Sequence, residues 1–502
     1  MSDYDAVVIG AGNGGLTSAL SLAKNGLSVL LLERHNIPGG CATSFMRGRF
    51  EFEVALHQLS GLGTEDFPGP LRNTLGELGV MDKLDFIRMD NLYRVIMPKS
   101  MDITLKANRT EAAATLKKRF PNESSNIDRF FDLLYDFCTQ WIHVTILRDP
   151  EASKDKYPVY FKNALKSTQE VFDEFFHDPL LQAAIGVYWS YQGLPPSKIT
   201  FGDFAITLWA YIEFKPWHLK GGSQALSNTL LNTYLEAGGD VRFNCGAKKI
   251  MVSNSRVTGV ITEQGDEIST TRVVSNAGTA TTYVELIESE HIPNQLRSEL
   301  STMTLGTSFV SIFMGFDQEP HQMDINHTTS FILASHDADQ VYAKSKTLST
   351  PDWLLFSCYD VDDPDFSPKG SSQASLVTMS YAKPWLSIPP HHYHEFKYDY
   401  AQKMLDQLSK VYPAVKDHIE EIDVGTPLTH MRYLGHPGGS AYGFDRYAKD
   451  TEFFIDKKSP IKGLYLVGAW PGMGGFQPSL QSGVTVAKAI LKSMEKPGGK
   501  SS

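Results

Sequence analysis

The sequence predicts a two-domain α/β architecture, with one domain assembled from separated stretches of chain around a parallel sheet and an α+β domain inserted between them. Three observations predict it. An apolar run breaks into the glycines of "VVIGAGNGGLTSAL" at 7–20, a second glycine-rich strand-to-helix segment lies near the end, and helical patterns and β-branched runs fill the interval. At 502 residues, 42% hydrophobic and 21% charged, the chain is long enough for at least two cores.

The opening element comes first. Residues 6–9 are continuously apolar, as befits a parallel strand covered on both faces. Gly10, Gly12 and Gly15 form GxGxxG, with Asn13 and Gly14 inside it. Leu16, Ala19, Leu20 and Ala23 then recur at helical spacing until "KNG" at 24–26 stops the helix. A second apolar strand over 28–32 ends at Glu33, about 20 positions after the glycines, which is the βαβ pattern of a dinucleotide site. Gly10 permits the turn, Gly12 lets the backbone approach a pyrophosphate, and Gly15 lets helix and strand pack closely. The helix N-terminus offers free N–H groups to phosphate. Glu33, followed by Arg34, is placed to accept from the ribose hydroxyls, and its charge disfavours NADP. Gly39 and Gly40 follow six and seven positions after the acid, close enough to return to the same phosphates. A simple NAD site has no need of that pair, so the reading is FAD.

These residues, "GAGNGG…LLLERHNIPGGCATSF", resemble the FAD-binding start of the carotenoid desaturase and isomerase family, which includes phytoene desaturase, carotenoid isomerase and the retinol saturase branch. Three further segments carry the likeness: "WHLKGGSQALSNTLLNTYLEAGGDVRFNCGAKKI", "TPLTHMRYLGHPGGSAYG" and "SPIKGLYLVGAWPGMGGFQPSLQSGVTVAKAIL". The resemblance implies a Rossmann-like FAD-binding domain of the GR2 type, as in amine oxidases and phytoene desaturases. That domain is expected over 1–64, 218–290 and 426–495, the substrate domain over 65–217 and 291–425, and a flexible tail over 496–502. It also implies that the backbone around Ala247 holds the adenine, and Cys41, directly after the glycine pair, is expected near the pyrophosphate. The flavin end falls to Gly468, Ala469, Gly475, Phe476 and Gln477. Many flavoenzymes carry Asp where this chain has Ala469, so phosphate or ribityl contacts there must come from backbone. A helix is expected to begin near Pro478, with its positive end toward the flavin.

Between these segments, "LKKRFPNESSNIDRFFDLLYDF" is helical in pattern, whereas "SFVSIFMGF", "WLLFSCYD" and "SLVTMSYA" fit an antiparallel sheet. Trp141, Tyr188, Trp189, Tyr191, Trp209, Tyr211 and Trp217 fall in the helical part and supply an apolar lining for an isoprenoid or fatty-acyl chain. The stretch 201–214 is read as a buried helix or pocket wall ahead of a membrane-surface patch, and no run is long enough to span a bilayer.

Flavin carries the redox chemistry, so the protein's part is position, dryness and proton handling. His57 falls where the resemblance brings the chain to the flavin, and it is the first candidate for a proton role. Tyr442 is the second and His430 a weaker third. Four scattered cysteines give neither a zinc pattern nor a disulfide framework, and no metal site is expected. A net charge of −10 argues against nucleic acid. The expected protein is a cytoplasmic FAD-dependent oxidoreductase that desaturates, saturates or isomerises a carbon-carbon double bond in a hydrophobic polyene. The polyene's insolubility predicts peripheral membrane contact, and oligomeric state is left open. An amine or amino-acid oxidase, a fatty-acid double-bond isomerase and a non-enzymatic flavin scaffold are the competing readings.

Overall fold

The computed structural model describes residues 2–447, 458–472 and 474–495. The expected tail over 496–502 lies outside the described residues. Strand Ala6–Ile9 is the centre of a five-stranded parallel sheet in the order Leu464–Leu466, Val273–Ser275, Ala6–Ile9, Val29–Leu32, Asp240–Arg242. Its residues are fully buried, which is why the run lacks polar alternation. The helices Asn13–Lys24, Gly222–Glu236 and Phe476–Met494 cover one face, with Leu16, Leu20, Leu226, Leu230, Leu480 and Val484 in a shared core. The opposite face packs against a three-stranded antiparallel sheet, Ala247–Ser253, Arg256–Thr262 and Glu267–Ser269, through Ile250, Val257 and Val260.

A second sheet has seven strands in the order Ile419–Gly425, Ser308–Phe316, Ser372–Ser380, Trp353–Cys358, Thr329–Leu333, Asn91–Met97, Met101–Lys106. The three β-branched runs read from sequence are three of these strands. The sheet is antiparallel except at one join, where Thr329–Leu333 runs parallel to Asn91–Met97. That join unites two stretches of chain more than 200 residues apart, so no tight hairpin could link them. Helices from the 109–213 region lie against it and share its largest core.

Local chemistry alters three expected elements. The helical pattern at 116–137 is broken: Arg109–Arg119 ends, Pro121 opens a short turn, and Ser124–Trp141 begins, because proline cannot continue a helix but suits the start of one. The closing helix starts at Phe476, so Pro478 occupies its third position. A missing N–H costs nothing there, since the first four have no intrahelical acceptor. Trp217 is not helical; Lys215 and Pro216 end the helix, and Trp217–Leu219 pairs as a strand with Phe86–Arg88. The stretch 201–214 is a largely buried helix, Phe201–Glu213, with Phe201, Phe204, Leu208 and Ile212 in the core.

Candidate functional site

The glycines at the two ends of the chain meet. Gly39 N donates to the Ala11 carbonyl at 2.8 Å, and Gly12 and Gly39 form an isolated bridge. A Cβ on Gly40 would come within 3.4 Å of Gly12 Cα, and one on Gly14 within 2.6 Å of Gly468 N. Gly15 is closed to any side chain, since its Cβ would stand 1.9 Å from the Gly10 carbonyl oxygen. The helix beginning at Asn13 has no side-chain cap, so its first N–H groups remain available. Asn13 Oδ1 is buried with no hydrogen-bond partner. A cradle of glycine backbone at an uncapped helix N-terminus fits a pyrophosphate, whereas the Asn13 amide oxygen can take only a donor such as a hydroxyl.

Glu33 stands at the end of Val29–Leu32, 8% exposed. Its Oε2 accepts from Ala11 N at 2.7 Å and its Oε1 from His35 N at 2.8 Å. The carboxylate is thereby fixed, with lone pairs left over for two hydroxyls. Arg34 is exposed and donates to the Arg432 carbonyl at 2.5 Å. Ala247 opens its strand two residues after Cys245, whose N–H bonds the Glu33 carbonyl at 2.9 Å. Cys41 is half-buried, and burial pushes its thiol up to about 11, so it is an inert thiol at neutral pH.

At the other end, Gly468 N donates to Ser482 Oγ at 2.8 Å, and Ala469 is partly buried beside it. Gly475 is the N-cap of the helix Phe476–Met494, again without a side-chain cap. Gln477 lies against Gly61, where a Cβ would stand 1.9 Å from Gln477 Oε1. The closing helix thus touches the segment that carries His57. Two residues essential to this assembly leave no signature in the opening motifs. Asn276 sits between the two glycine loops, since a Cβ on Gly12 would meet its Nδ2 at 2.6 Å and one on Gly468 its Oδ1 at 2.5 Å. Gly483 lets the first and last helices touch: its Cβ would lie 2.3 Å from the Gly14 carbonyl, and Thr17 Oγ1 donates to the Leu480 carbonyl at 2.9 Å.

The segment following Phe50–Glu53 is tied down from within. Buried Glu53 accepts from Ala55 N, Leu56 N, Ser223 N and Ser223 Oγ at 2.6 to 3.0 Å, although burial still lifts its carboxyl above the usual range. Four residues on, His57 Nδ1 lies 3.3 Å from both Tyr359 Oη and Ser375 Oγ. Burial draws its imidazole down to about 4, so it is neutral at physiological pH. Next to it Gln58 organises three tyrosines: Tyr188 and Tyr191 donate to its Oε1 at 3.2 and 3.4 Å, and Tyr211 to its carbonyl at 3.2 Å. Tyr188 and Tyr191 stack at 5.1 Å, with Phe331 6.0 Å from Tyr191. Tyr442 lies near Tyr191 and Tyr211, with its ring edge-on to Phe309 at 6.1 Å and close to Gly474. His430 bonds Ser308 Oγ through Nδ1 at 3.0 Å, and burial draws it down to about 4. Of the aromatics singled out in sequence, Tyr188, Tyr191 and Tyr211 converge here, whereas Trp209 packs on Phe214 at 5.3 Å.

The family model for flavin containing amine oxidoreductases matches residues 14–491. The chain is 26% identical to zebrafish (Danio rerio) all-trans-retinol 13,14-reductase, over 97% of this chain and 86% of that protein. It is 25% identical to the chloroplastic prolycopene isomerase of Arabidopsis thaliana, over 94% and 80%. Among solved structures, an oxidoreductase from Methanosarcina mazei superposes with a TM-score of 0.65 at 19% identity, covering 98% of this chain and all of that one. A putrescine oxidase variant superposes with a TM-score of 0.69 at 14% identity, over 98% and 99%. At such identities the superpositions establish the FAD-binding Rossmann-like fold.

Proposed function

Because the chain belongs to the flavin-containing amine oxidoreductase family and is an FAD-dependent oxidoreductase, we propose that it acts on a carbon-carbon double bond of a hydrophobic polyene, a retinoid or carotenoid. The likeness to a retinol reductase and a prolycopene isomerase over nearly the whole chain carries this reading. FAD supplies a hydride donor and acceptor when bound. In this reading Gly12, Gly14, Gly39, Gly40 and Gly468 take the pyrophosphate by backbone. Glu33 binds ribose hydroxyls, and the backbone near Ala247 borders the adenine. Gly475, Phe476 and Gln477 bring the closing helix to the isoalloxazine. Tyr191 and Tyr211, backed by the fully buried Tyr188 and Phe331, exclude water and offer an apolar face to the chain, with little polar recognition. His57 and Tyr442 flank these rings and are the side chains proposed to touch the reacting atoms. The test is anaerobic: the photoreduced holoenzyme is mixed with all-trans-retinol, prolycopene or a primary amine's imine. Reoxidation or isomerisation by a polyene supports the reading, and reoxidation by imines alone overturns it.

We further propose that the protein takes its substrate from a lipid surface. Among the described residues no helix is long and apolar enough to cross a membrane. The turn Ile142–Ile146 that follows Ser124–Trp141 and the residues just past Pro158–Asn163 nonetheless expose Ile146, Leu147 and Leu165, each 60% or more accessible. These elements pack together, with Tyr160 N donating to Gln140 Oε1 and His143 stacking on Tyr157 at 5.8 Å. Arg148, Lys162 and Lys166 are near neighbours of the exposed residues in sequence, and Lys166 is ion-paired with Glu174. Replacing Leu147 and Leu165 with Glu should lower sedimentation with phosphatidylcholine–phosphatidylserine vesicles at least about tenfold, as two lost leucine insertions require. Unchanged sedimentation would place the contact elsewhere.

A further inference from the structure

We infer that Tyr359 and Ser375 hold His57 in the neutral tautomer that carries its proton on Nε2, so that His57 serves the site as a hydrogen-bond donor. This rests on the proposed site assignment for its use, although the tautomer itself follows from geometry. His57 Nδ1, Tyr359 Oη and Ser375 Oγ form a triangle with sides of 3.3, 3.3 and 3.2 Å. Both hydroxyl-bearing residues are 1% exposed, and among the described residues neither hydroxyl has a further partner. Counting protons decides between the two tautomers. If Nδ1 is bare, Ser375 donates to Tyr359 and Tyr359 donates to Nδ1, so both hydroxyl hydrogens have acceptors, and the remaining N–H, on Nε2, is not among the fully buried atoms left without a partner. If Nδ1 carries the proton, it donates to one hydroxyl and that hydroxyl to the other. The last O–H then faces a ring nitrogen that cannot accept. A buried donor left unpaired costs about 1–3 kcal/mol, which favours the bare Nδ1 by roughly five- to 150-fold. The proton therefore sits on Nε2, which has no partner among the described residues and is available to a ligand's lone pair.

Burial draws the imidazole down to about 4, so it is neutral at physiological pH and has one proton to place. Tyr359 is itself fixed, with its ring 5.0 Å from Phe366 and 6.0 Å from His218, and His218 Nε2 bonds buried Asp363 at 3.1 Å. Tyr359 and Ser375 are thus positioning residues: they orient His57 without meeting the ligand.

The test is nitrogen-15 NMR of histidine-labelled holoprotein, with the His57 resonances identified as those missing from His57→Gln. The expected spectrum has a protonated Nε2 and a bare Nδ1. Tyr359→Phe and Ser375→Ala should each keep that pattern, since one hydroxyl is enough to donate to Nδ1. The double variant should show mixed tautomers. A protonated Nδ1 in the wild type overturns the inference, as does an unshifted tautomer in the folded double variant. If the double variant fails to fold, the wild-type spectrum and the single variants decide. Failure to turn over polyenes would leave these spectra unchanged, so the two readings fail separately.

Discussion

Glu33 is one carboxylate with two tasks. It fixes the turn by accepting from Ala11 N and His35 N, and in the proposed site it also holds the ribose. Glu33→Gln keeps one acceptor oxygen but removes the charge and turns an NH2 toward either Ala11 N or His35 N, so it should loosen the turn as well as weaken FAD binding. Weakening one or two charge-assisted hydrogen bonds costs about 1.5–3 kcal/mol, so the dissociation constant measured by quenching of flavin fluorescence should rise about ten- to hundredfold. An unchanged constant would remove Glu33 from the ribose. The motif announced Glu33 because its spacing from the glycines is local. Asn276 could not be found this way. It reaches the same glycines across a parallel strand pair, and nothing in "VVSNAG" marks it as a wedge between loops nearly 200 residues away on one side and more than 250 on the other.

Helix Gly222–Glu236 shows how an element can be anchored from a distance. Its N-terminus lacks a cap of its own, and Glu53 supplies one from 170 residues earlier through Ser223 N and Oγ. The same carboxylate accepts from Ala55 and Leu56, so it sets both the helix and the approach to His57. Glu53→Ala would leave several buried donors unpaired. A loss of about 3 kcal/mol or more is expected, read as a lower thermal midpoint together with premature release of flavin. A variant that melts like the wild type would show that the segment is held by packing alone. Elements with strong local periodicity were legible from sequence: the first strand, its helix, and the run now seen as Ser308–Phe316. Partnerships such as Glu53 with Ser223, or Gln58 with its tyrosines, were not, because a hydrogen bond between distant residues imposes no period on either stretch. The break at Pro121 was in the letters, yet the apolar spacing on both sides of it masked it.

Across the whole molecule, buried titratable groups pull stability in opposite directions. His57, His430 and His436 are each drawn down to about 4 by burial. The unfolded chain therefore binds more protons below pH 6.5, and their contribution is lost as pH falls from 6.5 toward 4. Asp445 runs the other way: burial raises it to about 7, while Tyr381 and Tyr447 donate to its Oδ2 at 3.0 and 3.2 Å. Its contribution is present at low pH and disappears as pH rises through 7. Asp445→Asn keeps an acceptor and removes that loss, so its thermal midpoint relative to the wild type should be higher at pH 7.5 than at pH 5. A difference independent of pH would mean that Asp445 is already ionised at pH 5. The order of the parallel sheet has one more consequence, for synthesis. The first strand to leave the ribosome is Ala6–Ile9, but its neighbour Val273–Ser275 and the outer strand Leu464–Leu466 come much later. At about 5–20 residues per second, roughly half a minute to a minute and a half passes before the last of them emerges. The edge of Ala6–Ile9 that awaits Val273–Ser275 stays unpaired and apolar for about the first half of that time, which makes the nascent chain a client for holding chaperones, and the two glycine loops cannot come together until the last strand is out.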